Sequence, residues 1–365
     1  MDMIEVTAPT EHGPPARDDA SGEGVRRTDI VDNCTPGLDR SWHPVALSEE
    51  VSDVPISVML LGEPWVVVRL GADLFAARDQ CPHRLAPLSL GAVVDDTLQC
   101  KYHGWRYGVD GACVRIPSAS VDTPIPPRAR ASTPFGVAEH LGIVWIAPSE
   151  PVLGLPEIPE WGDPSFDRIP TEPRRTSASA AQLMDNFVDA THFATVHTAT
   201  FGVPDKTEVD NTQVVTEGWT ASTRYTTWYL NHDDPLVATG EHELAQPHVV
   251  EKTALPPFAV FMRLGFPWTD QIISILYAMQ PETAESTRIF KLMARNDFHG
   301  DPKLIADMLD FEDRVLDEDL DVLEAFRSNA LHLDPTVEVH ARADRLSLAY
   351  RRQLRRLLDG GGAPA

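Results

Sequence analysis

Two short segments hold the residues best suited to chemistry. Cys81-Pro82-His83 is followed, after sixteen intervening residues, by Cys100-Lys101-Tyr102-His103. Each pair lies at the tip of a strand-loop-strand run, where two side chains can converge on one metal. Two thiolates with two imidazoles suit either zinc or a 2Fe–2S centre in which both histidines ligate one iron. Zinc ribbons carry Cys-x2-Cys knuckles, and neither half here has that form. Neutral imidazoles raise the reduction potential relative to an all-cysteine cluster, so such a centre can accept electrons and pass them on. The other two cysteines, Cys34 and Cys113, read as small, partly buried side chains.

A second constellation lies in QLMDNFVDATHFATVHTATFG, which carries Asn186, Asp189, His192 and His197. The pattern predicts a helix over 179–197. On it the first three residues, three apart, share a face. His197 falls about 140° further round, so both histidines can face one metal only if the helix bulges or ends between them, near the β-branched Thr195 and Val196. The spacing is not that of a zinc protease. A carboxylate third ligand would complete a 2-His-1-carboxylate set, which favours Fe(II) and leaves positions open for dioxygen and substrate. A predicted helix over 301–328 offers one. Its apolar stripe runs Leu304, Met308, Phe311, Val315, Val322 and Phe326, and the slot missing between 315 and 322 is Asp319. A carboxylate in a buried stripe must be paired or hold a metal. Asp313, Asp317 and Asp321 fall off the stripe, and Glu318 beside the slot is the alternative, with Asp313 behind it.

The elements that must position these residues divide the chain. Residues 1–38, rich in Pro, Gly, Asp and Glu, read as a disordered or loosely packed arm. Short strands follow over 39–148: a hairpin from 64–70 and 73–79, another joining 97–108 to 112–118 through Asp110-Gly111, and a strand over 139–147. Prolines cluster at 117–134 and 148–164. Over 149–365 the pattern gives β-rich segments between 210 and 295, the two helices above and a third over 340–358. The fold class is therefore α+β, an all-β unit followed by an antiparallel sheet packed against helices.

With 365 residues and 42% hydrophobic content, the chain can bury a sizeable core. No apolar run reaches the length of a membrane span, and the N-terminus lacks a secretory pattern, so a cytoplasmic location is expected. A net charge of −24 argues against nucleic-acid binding and suits an acidic, soluble surface.

CPHRLAPLSLG and CKYHGWRYGVDGACVRIP closely resemble the two cluster-binding loops of the Rieske family, including Gly104-Trp105 after the second histidine. DNFVDATHFATVH resembles the Asn-x2-Asp-x2-His-x4-His motif of Rieske non-heme iron oxygenases, and DEDLDVLEAFR the segment bearing their distal aspartate. The resemblance covers about 40–350 and is nearest to terminal oxygenase α subunits of the vanillate-demethylase and phenoxybenzoate-dioxygenase-like branch. It implies a Rieske domain over 39–148 and a START-like, helix-grip catalytic domain over 149–365. It also implies a 2Fe–2S cluster on Cys81, His83, Cys100 and His103, and a mononuclear Fe(II) on His192, His197 and Asp319. Dioxygen is then the co-substrate, and the electrons come from NAD(P)H through a separate reductase or ferredoxin, since no flavin or nucleotide fingerprint is present. In the implied homotrimer, the cluster of one subunit faces the iron of its neighbour, and Asp189 bridges His103 of one chain and a ligating histidine of the next. Asp189 and Asn186 are the candidate catalytic residues, and Trp105 is expected to be exposed at the docking face for the electron donor. Phe193, Phe201, Trp228, Phe258, Phe261 and Phe266 are candidates to line a pocket for an apolar or aromatic substrate. Monooxygenation (hydroxylation, demethylation or N-oxidation) is the expected reaction, with cis-dihydroxylation the alternative. An electron carrier or a START-like binding module is disfavoured because the iron ligands are present.

Overall fold

The computed structural model describes residues 29–209 and 213–362. Most of the expected arm lies outside these residues, but its last part, 29–38, is not loose. Ile30–Val31 pairs with Leu331–His332, and Leu38 is in the main core. Asn33, fully buried, donates to the carbonyls of Thr283 and Ser286 and accepts from the Ala180 N–H. The tie is made of polar contacts, which a scan for apolar residues does not register.

Three small antiparallel sheets make up the N-terminal unit. Glu63–Leu70 and Asp73–Arg78 form the expected hairpin, joined on its other edge by Ile56–Leu60. The run over 97–108 is not one strand. Thr97–Gln99 and Arg106–Tyr107 flank a loop that carries Cys100 and His103, and Cys113–Arg115 completes the sheet with Ala92–Val94. The strand expected over 139–147 is likewise a hairpin of Gly136–His140 and Ile143–Ala147. It turns at Leu141 and Gly142, both at positive φ.

An eight-stranded antiparallel sheet dominates the C-terminal unit. Its order runs Asp167–Pro170, Ser286–Arg295, Gln271–Thr283, Ala259–Phe266, Ala245–Leu255, Thr220–Leu230, Gln213–Glu217, with Arg174–Thr176 also on Ser286–Arg295. Strict alternation of buried and half-buried residues along Ala245–Leu255 gives the sheet an inner face. Helices α1 (Ala180–Val188), α4 (Pro302–Leu323) and α5 (Arg345–Leu358) pack there, while the short α3 (Pro235–Thr239) lies in a loop. The outer face is covered by the N-terminal unit: Ile143 and Trp145 share a core with Leu276, Ala278, Phe290 and Leu292.

Two helix limits differ from the sequence reading. α4 starts on an Asp301 cap with Pro302 at its first position, and ends at Leu323 rather than 328. Its buried stripe is Met308, Glu312, Val315, Leu316, Asp319, Leu320 and Leu323; Leu304, Val322 and Phe326 are exposed. The expected apolar series was therefore anchored on surface residues at both ends, although the slot at Asp319 is on the buried face. α5 starts at Arg345, after a single turn over Arg342–Asp344. Among the described residues no helix is long and apolar enough to cross a membrane.

Candidate metal centres and the active-site cavity

Both Cys/His loops fold back tightly. The Cys81 N–H donates to the Ala86 carbonyl, and the Cys100 N–H to that of Trp105. Gly104 holds φ at +69°, and a Cβ there would meet Pro117 at 3.0 Å. A left-handed residue without a side chain is what lets the second loop close. Cys81 and Cys100 are buried, while the His83 and His103 rings stand edge to face at 4.5 Å nearer the surface. The Tyr107 hydroxyl lies 3.1 Å from Cys81 Sγ. Trp105 is half-buried and stacked on His83 at 4.4 Å rather than free at the surface, while Leu85, Leu90 and Tyr102 are among the exposed apolar residues of these loops. Cys113 is buried, but Cys34 is exposed, contrary to expectation.

The helix expected over 179–197 breaks before His192, not between the histidines. α1 opens on a capping box of Ser179 and Gln182 and ends at Val188; a separate turn, α2 (Phe193–Val196), follows. Asp189 makes the break. Its carboxylate accepts the backbone N–H groups of Thr191 and His192, a local arrangement that competes with helix continuation. His192 and His197 thus flank one short turn, and Gly202 closes it. A Cβ on Gly202 would sit 2.2 Å from the Phe193 carbonyl oxygen.

The break brings the three expected donors together. One donor atom each from His192, His197 and Asp319 lies within 4.8 Å of the others. Asp319 Oδ1 is 3.6 Å from His192 Nε2 and 3.3 Å from His197 Nε2. Donors bound about 2.0–2.2 Å from one ion are separated by roughly these distances. The far nitrogens are held as a metal requires: His192 Nδ1 is 2.7 Å from Asp189 Oδ2, and His197 Nδ1 is 2.8 Å from Glu318 Oε2. Thr200 donates to the same Glu318 oxygen, and Asn186 donates to Asp319 Oδ1 at 3.2 Å. Glu318 is therefore beside the donor set rather than in it, and Asp313 is exposed, 3.7 Å from Arg174. Two nitrogens and a carboxylate with room beside them fit a ferrous ion. Burial works against the charge on Asp189, but His192, Lys252 and the backbone donors hold its carboxyl far below the usual range.

A narrow cavity adjoins these donors. Phe187, Phe193, Phe201, Tyr229, Tyr277 and Phe311 wall it with rings, Met262, Leu264, Ile273, Ile275 and Val315 add apolar surface, and Glu312, paired with Lys291, is also in the wall. Of the expected aromatic residues, Phe193 and Phe201 line it, and Phe266 packs behind, against Tyr229 and His248. Trp228, Phe258 and Phe261 do not. Trp228 lies on the opposite face of its strand under Lys206, and Phe258 and Phe261 line a separate groove beside Trp42 and Trp145. Period-2 alternation assigns these faces: it turns Tyr229, not Trp228, inward. The same rule would have found His248 and Lys252, two buried polar residues in the cavity wall. Burial pulls Lys252 down to about 8 and His248 to about 3, so His248 is neutral.

Residues 41–127 match the Rieske 2Fe–2S domain, and residues 176–360 match the vanillate O-demethylase oxygenase C-terminal domain. The chain belongs to the Rieske non-heme iron oxygenases. Methylxanthine N1-demethylase NdmA of Pseudomonas putida is 31% identical over 346 residues, 90% of this chain and 92% of that protein. The oxygenase component of dicamba O-demethylase from Stenotrophomonas maltophilia is 35% identical over 164 residues, 44% of this chain and 47% of its own. The solved structure of NdmA with caffeine superposes with a TM-score of 0.73 at 27% identity, covering 88% of this chain and 95% of the other. As a terminal oxygenase the chain uses a Rieske 2Fe–2S cluster and a mononuclear iron. The zinc alternative for the Cys/His loops is thereby set aside.

Proposed function

We propose that this oxygenase demethylates, at nitrogen or oxygen, a substrate built on a single aromatic ring. The ring-lined cavity opening on His192, His197 and Asp319 carries this reading. The aromatic rings that face it suit a flat aromatic substrate. Cys81, His83, Cys100 and His103 are assigned as the cluster ligands, and His192, His197 and Asp319 as the ligands of the mononuclear iron. Bound there, iron(II) with open positions supplies dioxygen activation, and the cluster supplies the electron that this needs.

The protein's own residues prepare the site. Asp189 and Glu318 each take the Nδ1–H of one histidine, fixing the tautomer that leaves Nε2 free to donate. Asn186 steadies Asp319 from the side. The aromatic walls exclude water and hold the substrate ring near the donors. We assign the cluster unit to 39–148, the catalytic unit to 149–365 together with its tie from 29–38, and a homotrimer in which Asp189 also meets His103 of a neighbour. A separate reductase or ferredoxin supplies electrons; three similar proteins are named as oxygenase components or an iron–sulfur subunit of a larger system.

Loaded protein should hold about three irons per chain, two in the cluster and one mononuclear. With a surrogate reductase and ferredoxin, it should consume dioxygen and release formaldehyde from N-methyl or O-methyl benzenoid substrates. Ring diols without formaldehyde would replace demethylation with dihydroxylation. Protein holding only the two cluster irons would make the chain an electron carrier.

A further inference from the structure

Five carboxylates are buried among the described residues: Asp79, Asp234, Glu282, Glu312 and Asp319. Four of them face a cation or a histidine. Asp234 pairs with His242, Glu282 with Arg175, Glu312 with Lys291, and Asp319 with His192 and His197. Asp79 is the exception, held by neutral donors alone. Its Oδ1 accepts the Ser89 backbone N–H at 2.7 Å, and its Oδ2 accepts the Ser89 hydroxyl at 2.6 Å and the Ser57 hydroxyl at 3.0 Å. A carboxylate buried without a counter-charge is costly unless short hydrogen bonds satisfy it, and two of these three come from one residue.

That residue lies across the first Cys/His loop. Asp79 stands two residues before Cys81, and Ser89 follows the loop beyond His83, so the carboxylate ties the two ends of the loop together. Within the loop, the Cys81 N–H donates to the Ala86 carbonyl and the Leu85 N–H to the Cys81 carbonyl. Leu85 holds φ at +61° with its side chain exposed, a left-handed conformation that L residues rarely adopt and that surrounding contacts must maintain. Just past Ser89, Gly91 presses on the entry to the second loop. A Cβ there would stand 2.2 Å from the carbonyl oxygen of Gln99, the residue before Cys100. The Asp79–Ser89 contact therefore sets the shape of the first loop and its distance from the second.

We propose that Asp79 is a positioning residue for the cluster: through Ser89 it clasps the first loop shut and fixes where Cys81 and His83 stand relative to Cys100 and His103. This rests on the assignment of those four residues as cluster ligands and adds to them a residue that does not touch the metal. The clasp acts on how easily the loop opens, and so on how long the cluster is retained while its histidines stay near the surface for electron transfer.

Chelator-driven loss of the cluster's visible absorption, measured on loaded full-length protein, reports loop opening. Asp79→Ala should lose the cluster roughly tenfold faster than wild type, as expected for the loss of a partner behind metal ligands. Asp79→Asn keeps an acceptor for the Ser89 N–H, and the serine hydroxyls can turn to accept from its amide, so it should recover most of the wild-type rate. Ser89→Ala removes one of the two bonds across the loop and should fall between wild type and Asp79→Ala. The EPR g-values of the reduced cluster should shift in Asp79→Ala, because His83 moves relative to His103, and return in Asp79→Asn. Faster loss with unchanged g-values would mean a general loosening of the small sheets and overturns the positioning role. Wild-type release in both Asp79→Ala and Ser89→Ala overturns the clasp. If Asp79→Ala does not fold or load, Ser89→Ala decides alone, and a wild-type rate there overturns the proposal. Wild-type protein without a Rieske EPR signature would overturn the ligand assignment itself, which keeps that failure distinct from failure of the clasp.

Discussion

Glu318 and Asp319 are neighbours on α4, and their different positions make opposite predictions for iron. Glu318 Oε2 takes the His197 Nδ1–H at 2.8 Å and the Thr200 hydroxyl at 2.6 Å, while Asp319 Oδ1 lies among the histidine Nε2 atoms. Glu318→Ala removes a hydrogen bond to a charged group, worth about 1.5–3 kcal/mol. It also leaves the His197 Nδ1–H buried without this partner, while the Thr200 hydroxyl keeps only its 3.3 Å contact with the His197 carbonyl. Because the lost interaction orients and polarises a ligand, the cost falls on metal affinity, and ferrous binding should weaken roughly 10–100-fold. Asp319→Ala removes one of three donors, so the site should not refill at any practical ferrous concentration. The assay strips the mononuclear iron with a chelator, titrates Fe(II) back and counts metal, while the cluster's visible absorption reports that its two irons remain. Glu318→Ala should recover the third iron at high Fe(II), and Asp319→Ala should not. The reverse pattern would make Glu318 the ligand, and wild-type affinity in Glu318→Ala would refute the orienting argument.

Asp189→Asn should keep both metals but weaken Fe(II) binding about tenfold and sharply slow dioxygen consumption, since the charge beside His192 is lost; uptake at the wild-type rate would remove Asp189 from the electron path. Tyr107→Phe should lower the cluster's potential by about 60 mV, the one-electron equivalent of a hydrogen bond of ~1.4 kcal/mol to Cys81 Sγ; protein-film voltammetry reads the shift, and an unchanged potential argues against the bond. His43, fully buried with Nε2 2.8 Å from the Leu38 carbonyl oxygen, is pulled down by burial to about 4. The unfolded chain therefore takes up this proton first, and the His43 contribution to stability should be constant above about pH 6.5, fall between 6.5 and 4, and level off below. The loss attributable to His43 is about 3 kcal/mol. Urea midpoints across that range should show a shallower slope in His43→Asn, and an identical slope would exclude His43 as the source.

The sequence was most legible where spacing alone imposes convergence. Cys81, His83, Cys100 and His103 sit in loops too short to part the pairs, so residue type and separation were enough. Asp319 was also legible, because a carboxylate replacing an apolar residue in a helical stripe is costly wherever that stripe is buried. The stripe's ends were not: Leu304, Val322 and Phe326 share its period but lie beyond the packed length of α4. Periodicity reports a helix face, and only tertiary contact decides how much of that face is covered. The pocket was read from aromatic content rather than strand alternation, which is why Trp228 was favoured over Tyr229. Residues 29–38 were misread for the opposite reason, since Asn33 is tied by hydrogen bonds and not by apolar burial.

The break at Asp189 is the point where local and tertiary signals conflict, and it explains the architecture of the site. Asn186, Asp189 and His192 at three-residue intervals favour one continuous helix, which would carry His197 about 140° away from His192. Asp189 can end that helix because its side chain offers the backbone a competing partner two and three residues on. The carbonyl freed at Asp189 is then met by Lys252 from the sheet. One carboxylate thus terminates α1, seats the turn carrying both histidines and fixes the tautomer of His192. A strand residue in the cavity wall secures the same break from the other side. Substituting Asp189 by Ala should therefore do more than Asn: with no side-chain acceptor, α1 can extend toward His192, and the iron ligands should separate as well as lose charge.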